Sequence, residues 1–394
     1  MKKTYLAAVG DVNDPITWSG IPYHFLKAAQ SVGLVDEGLR LCGSRLQWAL
    51  RRAAWNGAQP LRGRRHGGYQ YQPCFLEKLF SPVRRNIAGA RVINCFQMFP
   101  PSVVRDDSVQ KWFFIDMTLR QLFACYGAWL DHRTAAEAIA HETEGFRKAE
   151  VIITHSAWAA KSVTDDYGIS AERVRIVVPG ANLDPVAYGV WDKEQQRPSP
   201  MEASQPIKLV FVGKYWERKG LDRLLRALRI ARHRGAAIQL RVIGLASADV
   251  PTAYRNEPGV EWSGFLNKRT EAARFLRAVA SADLGCLLSR AEAGGIVLRE
   301  FHALGLPVIG PEVGGSPDHM FRGASTAVPP DAPDETISDI LVRLCKDRSA
   351  LEQMRERAWN SRHEALWSTT CRRILDFWPD RNVSVVGKSG AADC

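Results

Sequence analysis

The sequence predicts an α/β protein of two doubly wound parallel sheets. Apolar strand-like runs alternate with helical periodicity, and the alternation occurs twice, on either side of a polar break at residues 188–206. At 394 residues, with 46% apolar and 24% charged residues, the chain can fill two cores and has a globular composition.

In the first half the expected strands are residues 5–9, 92–97, 112–115, 151–154 and 174–178. Trp18-Ser19-Gly20-Ile21-Pro22 reads as a helix start after the first strand, with Pro22 early in the helix and Gly20 offering an uncovered backbone amide. Between Gly38 and Arg91 stand eleven Lys or Arg and one acid, Glu77, so this segment carries +10 of the chain's net charge of +11. Residues 46–55 interleave Trp48, Trp55 and leucines with Arg51 and Arg52, the pattern of a basic amphipathic helix. Such a face suits an anionic membrane or a phosphorylated acceptor, or it is a core-packed helix with solvated arginines. No helix-turn-helix, zinc-finger or RNP pattern accompanies the charge, so a nucleic-acid partner is not expected. Asp116 and Thr118 follow the strand at 112–115, and His155 and Ser156 follow that at 151–154. Each can be a ligand contact at the sheet mouth or a helix cap.

In the second half the expected strands are 208–212, 240–243, 283–288, 306–309 and 324–328, with clear helical periodicity at 220–233 and 268–281. Gly213-Lys214 ends one strand, and Lys219 follows five residues on. Cations there are placed to neutralise a pyrophosphate leaving group, unless they are surface lysines near a turn. The most informative stretch is Glu292-Ala293-Gly294-Gly295-Ile296-Val297-Leu298-Arg299-Glu300. Four glutamate pairs lie eight apart in this chain, yet only this one encloses glycines, within a strand, loop, helix, strand unit. The opening amides of that helix favour phosphate oxygens, and the glycines let a ligand approach closely. Glu300 falls one turn in, where its two oxygens can accept from a pair of ribose hydroxyls. The alternative is a helix with an acidic first turn.

The eight cysteines are scattered with no Cys-x-x-Cys pair, the N-terminal apolar run is too short for a secretory leader, and no window spans a membrane. These point to a cytoplasmic protein with reduced thiols. The histidines lack metal-ligand spacing and no Asp-x-Asp motif occurs, so no metal is expected.

Taken jointly, these motifs resemble the family 4 glycosyltransferases, glycosyl transferases group 1, which are retaining enzymes of the GT-B fold. The resemblance runs from residues 19–23 through Val178-Pro179-Gly180-Ala181-Asn182, Gly213-Lys214, Lys219-Gly220 and Ser263-Gly264-Phe265-Leu266 to the glutamate pair and Val313-Gly314-Gly315-Ser316-Pro317-Asp318. It implies that Lys214 and Lys219 hold the diphosphate, Glu300 the ribose and Glu292 the donor sugar. Gly20, Gly213 and the amides of Gly294, Gly295 and Ile296 would complete the donor site, and residues near Leu266 would flank the base. Catalysis would rest on Glu292, Lys219 and Lys214, with Asp116, Thr118, His155 and Ser156 on the acceptor side. Family members usually have arginine at the position of Lys214, and many carry a histidine where this chain has Asp116-Met117-Thr118.

The expected layout is an acceptor-side Rossmann-like domain at 1–187, a linker at 188–206 and a nucleotide-sugar domain at 207–368. A terminal helix at 369–380 would pack back on the first domain, followed by a disordered tail at 381–394. The expected activity is transfer of a hexose from a nucleoside diphosphate sugar to a glycan, glycolipid or small-molecule acceptor, with retention. It would need no cofactor or metal and would run in the cytoplasm, with a peripheral contact to an anionic inner membrane face through 38–91. A nucleotide-sugar epimerase or hydrolase of the same fold, and a non-enzymatic sugar-nucleotide sensor, are the alternatives.

Overall fold

The computed structural model describes residues 2–126, 129–195, 201–202 and 204–379, so the expected tail at 381–394 lies outside the described residues. Among the described residues two six-stranded, all-parallel sheets dominate, beside a small antiparallel pair of Gly10–Asp11 with Arg40–Leu41. The first contains β1 (Thr4–Ala7), β2 (Glu37–Gly38), β3 (Arg91–Asn94), β4 (Gln110–Ile115), β5 (Val151–Thr154) and β6 (Val174–Ile176), in the order β2-β1-β3-β4-β5-β6. The second contains β7 (Ile207–Val212), β8 (Ile238–Ile243), β9 (Val260–Trp262), β10 (Leu284–Cys286), β11 (Val308–Pro311) and β12 (Ser325–Val328), in the order β9-β8-β7-β10-β11-β12. The edge strands β2 and β9 escape the sequence pattern. They have two and three residues, too few to show an apolar run.

Burial follows the expected logic of parallel sheets covered on both faces. In helix Leu221–His233, Leu221, Leu224, Leu225 and Leu228 face the second core. Truncating any of them to alanine would cost about 2–5 kcal/mol. Gly220 precedes that helix with φ +75° and lies directly against the carbonyl of Leu288, where a side chain would collide.

The expected linker differs from what is seen. Residues Pro185–Glu194 form a helix capped by Asp184, whose carboxylate accepts from Val186 N at 3.1 Å and Ala187 N at 2.8 Å. Tyr188 and Trp191 sink into the C-terminal core, so this helix is part of the second domain. Two apolar anchors three apart in a polar run leave no legible period. The chain crosses between domains ahead of the helix, at residues 178–184. It crosses back near residue 366, where helix Trp367–Leu375 packs against helix Ile21–Ser31 through Trp367, Cys371 and Ile374. Among the described residues no helix is long and apolar enough to cross a membrane.

Candidate active site

The strand order reverses between β7 and β10 in one sheet and between β1 and β3 in the other. Open α/β sheets bind ligands off the carboxyl ends of the strands at such points. Here both points open onto one cleft. Gly213 and Lys214 follow β7, while Ser289 and Glu292 follow β10. Gly295, at φ +75°, then starts helix Ile296–Ala303. A Cβ on Gly294 would strike the imidazole of His319, so the loop tolerates no side chain there. The result is an uncovered helix start facing a cavity of about 290 Å³, lined by Lys214, Lys219 and Glu292 to Ile296 from one domain and by Trp18, Asp116 and His155 from the other.

The two lysines differ. Lys219 is mostly buried and ion-paired with Glu292, which also accepts from the Ser289 hydroxyl at 3.1 Å and lies 3.9 Å from Arg218. Lys214 is exposed, with Nζ 4.2 Å from the centre of the Phe265 ring. It also borders a second cavity of about 500 Å³ with Tyr215, Gly244, Asp249 and Phe265, the open end where a base would lie. Of the residues near Leu266 expected to flank a base, Leu266 itself is buried in the core and Phe265 beside it is the exposed ring. The loop direction was legible, but which of two neighbouring apolar residues faces outward depends on packing.

Glu300 is 1% exposed. One of its oxygens pairs with Lys268 and the other has no partner. Burial pushes its carboxyl above the usual carboxylate range, against the pull of Lys268. Any ribose hydroxyl reaching Glu300 must therefore share it with Lys268. The helical periodicity at 268–281 concealed this lysine: the helix begins at Ala272, and residues 268–271 form a turn that leaves Lys268 free to reach back.

Of the residues expected on the acceptor side, two reach the cleft and two do not. Asp116 lies where the 290 Å³ cavity meets a third cavity of about 630 Å³. Burial, aided by Glu292, pushes its carboxyl up to about 7. His155 is buried against Phe114, its Nε2 has no partner, and burial lowers its pKa to about 3. Thr118 is instead a buried cap. It accepts from Gln121 N at 3.3 Å and lies 2.9 Å from the Ser162 hydroxyl. Ser156 likewise caps helix Ala157–Asp165 by accepting from Ala159 N at 3.2 Å, and it presses on Gly315 of the other domain. The neighbouring carboxylate of Asp318 accepts from Ala157 N at 2.9 Å, tying the domains at the positive end of that helix.

Gly20 is buried at the start of helix Ile21–Ser31 with φ +84°, and the residues flanking it, Ser19 and Ile21, are the ones on the cavity. Trp18 and Ser19 themselves have φ of 42° and 56°. Left-handed backbone at non-glycine residues costs roughly 1–2 kcal/mol each and persists where surroundings enforce it. Asn182 does so, donating to Ser19 O at 2.9 Å while accepting from Trp367 Nε1 at 3.0 Å. His319 is buried on the same cavity with neither ring nitrogen partnered, and sequence reasoning offered no signal for it.

Two Rossmann-like domains facing across a cleft, with a phosphate-suited helix start on the second, define the GT-B fold. Residues 192–361 match the family model described as glycosyl transferases group 1. The chain is 26% identical over 273 residues to a D-inositol 3-phosphate glycosyltransferase of Nocardia farcinica, covering 66% of this chain and 60% of the relative. It is 29% identical over 255 residues to its counterpart in Mycobacterium marinum, covering 60% and 53%. The chain thus spans about three fifths of the length of the curated relatives it matches. Anabaena HepE in complex with UDP superposes with a TM-score of 0.62 at 14% identity, over 95% of this chain and 99% of that one. Sucrose-phosphate synthase from Thermosynechococcus elongatus gives 0.63 at 14%, over 95% and 98%. These structural likenesses are to the fold.

Proposed function

We propose that the protein is a retaining glycosyltransferase that moves a hexose from a nucleoside diphosphate sugar to an acceptor hydroxyl. One observation carries this reading. Buried polar atoms on the cleft lack protein partners, namely a ring nitrogen of His155 and both of His319. Buried polar atoms are normally satisfied, and a polar ligand with hydroxyls and phosphates would satisfy these. A HepE structure in complex with UDP-glucose supports a donor of this class.

The diphosphate rests at the helix start of Ile296 with Lys219 and Lys214 beside it, and its base extends toward Phe265. The bond from the anomeric carbon to the phosphate oxygen breaks, its electron pair leaving with the diphosphate. The acceptor oxygen bonds to the same face of that carbon and its proton passes to the departing phosphate oxygen. Lysine ammonium groups stabilise the charge that develops, so the reaction uses no cofactor or metal and persists in a chelator. The test is a panel of UDP-, GDP- and ADP-sugars scored by nucleotide release with and without added acceptors. Acceptor-dependent release is expected. Binding without any release would leave a sensor, and acceptor-independent release a hydrolase.

We propose further that helix Arg45–Ala58 rests on an anionic membrane surface, the cytoplasmic face of the inner membrane. Its inner side packs through Trp48 and Trp55, yet its outer side exposes Leu46 at 70% and Leu50 at 62%, near Leu61 at 91%. Apolar exposure flanked by Arg51, Arg52 and Arg62 suits insertion among acidic headgroups. Replacing Arg51 and Arg52 with glutamine should weaken co-sedimentation with phosphatidylglycerol vesicles by roughly thirtyfold, at about 1 kcal/mol per charge. Unchanged sedimentation would leave a solvated helix.

A further inference from the structure

The cavity of about 630 Å³ lies at the reversal point of the first sheet, between Ala8 and Val9 beyond β1 and Cys95 to Gln97 beyond β3. Its size is that of a small-molecule site. Its walls are aromatic. The rings of Tyr71 and Phe96 lie nearly parallel, 10° apart with centroids at 6.3 Å, and Tyr71 is braced edge-on by Phe123 at 5.1 Å. Trp18, Tyr126 and Tyr215 border the same space.

Its charge is equally telling. Among the described lining residues the acids are Asp116 and Glu292, and the one cation is Arg218. That guanidinium already donates to Ala291 O at 3.2 Å, lies 3.9 Å from Glu292 and is 5.0 Å from the centre of the Tyr215 ring. A phosphorylated acceptor would set a dianion beside two acidic side chains, with a single guanidinium, already engaged by Ala291 and Glu292, to meet it. Lys214 and Lys219 border the neighbouring donor cavity instead.

We propose that this cavity is the acceptor subsite and that it takes an uncharged sugar ring, stacked on Tyr71 and Phe96, in preference to a phosphorylated polyol. The C–H face of a pyranose is apolar and its hydrogens are weakly positive, which matches the negative face of an aromatic ring. Its hydroxyl edge turns toward Asp116, at the boundary with the donor cavity, where the accepting oxygen must lie. The proposal rests on the transferase reading and departs from the phosphorylated acceptor in the names of the curated relatives.

Saturation-transfer NMR in the presence of UDP tests it without requiring turnover. The probes are the methyl glycosides of glucose, galactose, mannose and N-acetylglucosamine, set against glucose 6-phosphate and inositol 1-phosphate. At least one uncharged glycoside should bind at millimolar concentration and more tightly than either phosphate. Tyr71→Ala and Phe96→Ala should weaken it roughly tenfold, while Tyr71→Phe retains it and UDP affinity stays unchanged in all three. Tighter binding of the phosphorylated probes, silence from every glycoside, or wild-type glycoside binding by both alanine variants would overturn the proposal. A glycoside that binds as expected to a protein that never releases nucleotide would uphold the subsite and sink the transferase reading instead.

Discussion

The two sheets offer opposite chemistry at equivalent places in their topology. The second presents lysines, acids and bare amides, drawn mainly from two stretches that begin at Gly213 and Ser289. The first presents aromatic rings and a half-buried carboxyl, drawn from segments around residues 8, 18, 71, 96, 116 and 126. The difference reflects what each has to hold. A pyrophosphate has fixed charge and demands charge and dipoles from one loop and helix. An acceptor ring is held by surfaces, which any part of the chain can supply.

The contrast breaks most visibly if the charged half is not catalytic. Lys219→Ala should lower turnover at saturating donor by roughly 10²-fold or more, the loss typical of removing one charge-stabilising donor. It also leaves Glu292 with Arg218, 3.9 Å away, in place of its close ion pair. Wild-type turnover in steady-state kinetics would reduce Lys219 to a structural ion pair.

Next in size, Glu300→Gln should weaken nucleotide binding by about 1.5–3 kcal/mol, the range for hydrogen bonds to charged groups, and leave the acceptor constant unmoved. Calorimetry with the cognate nucleotide measures the first and kinetics the second. An equal loss in both would show that Glu300 supports the whole cleft and not the donor alone.

A pH series sharpens the comparison through stability. Burial raises Asp116 to about 7 and Glu142 to about 8, both in the first domain. Each contributes stability that is complete below about pH 4 and lost as pH rises through 7 to 8. Buried histidines act in reverse. With His24 lowered to about 4 and His155 and His302 to about 3, stability present above about pH 6.5 is lost as pH falls toward 3 to 4. The two windows overlap, and with three histidines against two carboxyls the melting temperature should peak near about pH 6.5; Asp116→Asn should raise it at pH 8.5 by roughly 2–4 °C, about 1 kcal/mol. An unshifted alkaline limb would mean that Asp116 stays ionised and solvated.

The smallest effect is expected from Lys214→Arg. An exposed cation over Phe265 can become a forked one without loss, so the nucleotide dissociation constant should stay within a few fold or tighten. A tenfold weakening would mean that the compact ammonium is required there.

The second half of the site was legible because phosphate recognition writes itself locally. Glycines, a helix start and a glutamate one turn on must be neighbours in sequence. The pairing of Lys268 with Glu300 was hidden because a helical period ran across a turn. The aromatic wall was hidden because Tyr71, in the short turn Tyr69–Tyr71, and Phe96, just past β3, meet only in the folded domain, and each alone reads as a core ring. Thr118 and Ser156 show the converse error: a polar residue after a strand is as readily a cap as a contact.

The chain passes between domains twice, and the two passes lie together. Ala181 N donates to Ala365 O at 2.7 Å, and the Thr370 hydroxyl to Val178 O at 2.9 Å. Buried Arg299 grips both, donating to Pro179 O at 3.1 Å and to Glu364 O at 2.5 Å. A single tether would let one lobe swivel freely over the other. A laminated pair resists torsion and bends across its flat side, so the lobes have one easy direction of travel. Arg299 belongs to the same helix as Glu300 and the glycine turn. The rivet of that leaf spring is therefore carried by the helix that opens at the glycine turn, and a displacement of that helix is felt directly at the pivot.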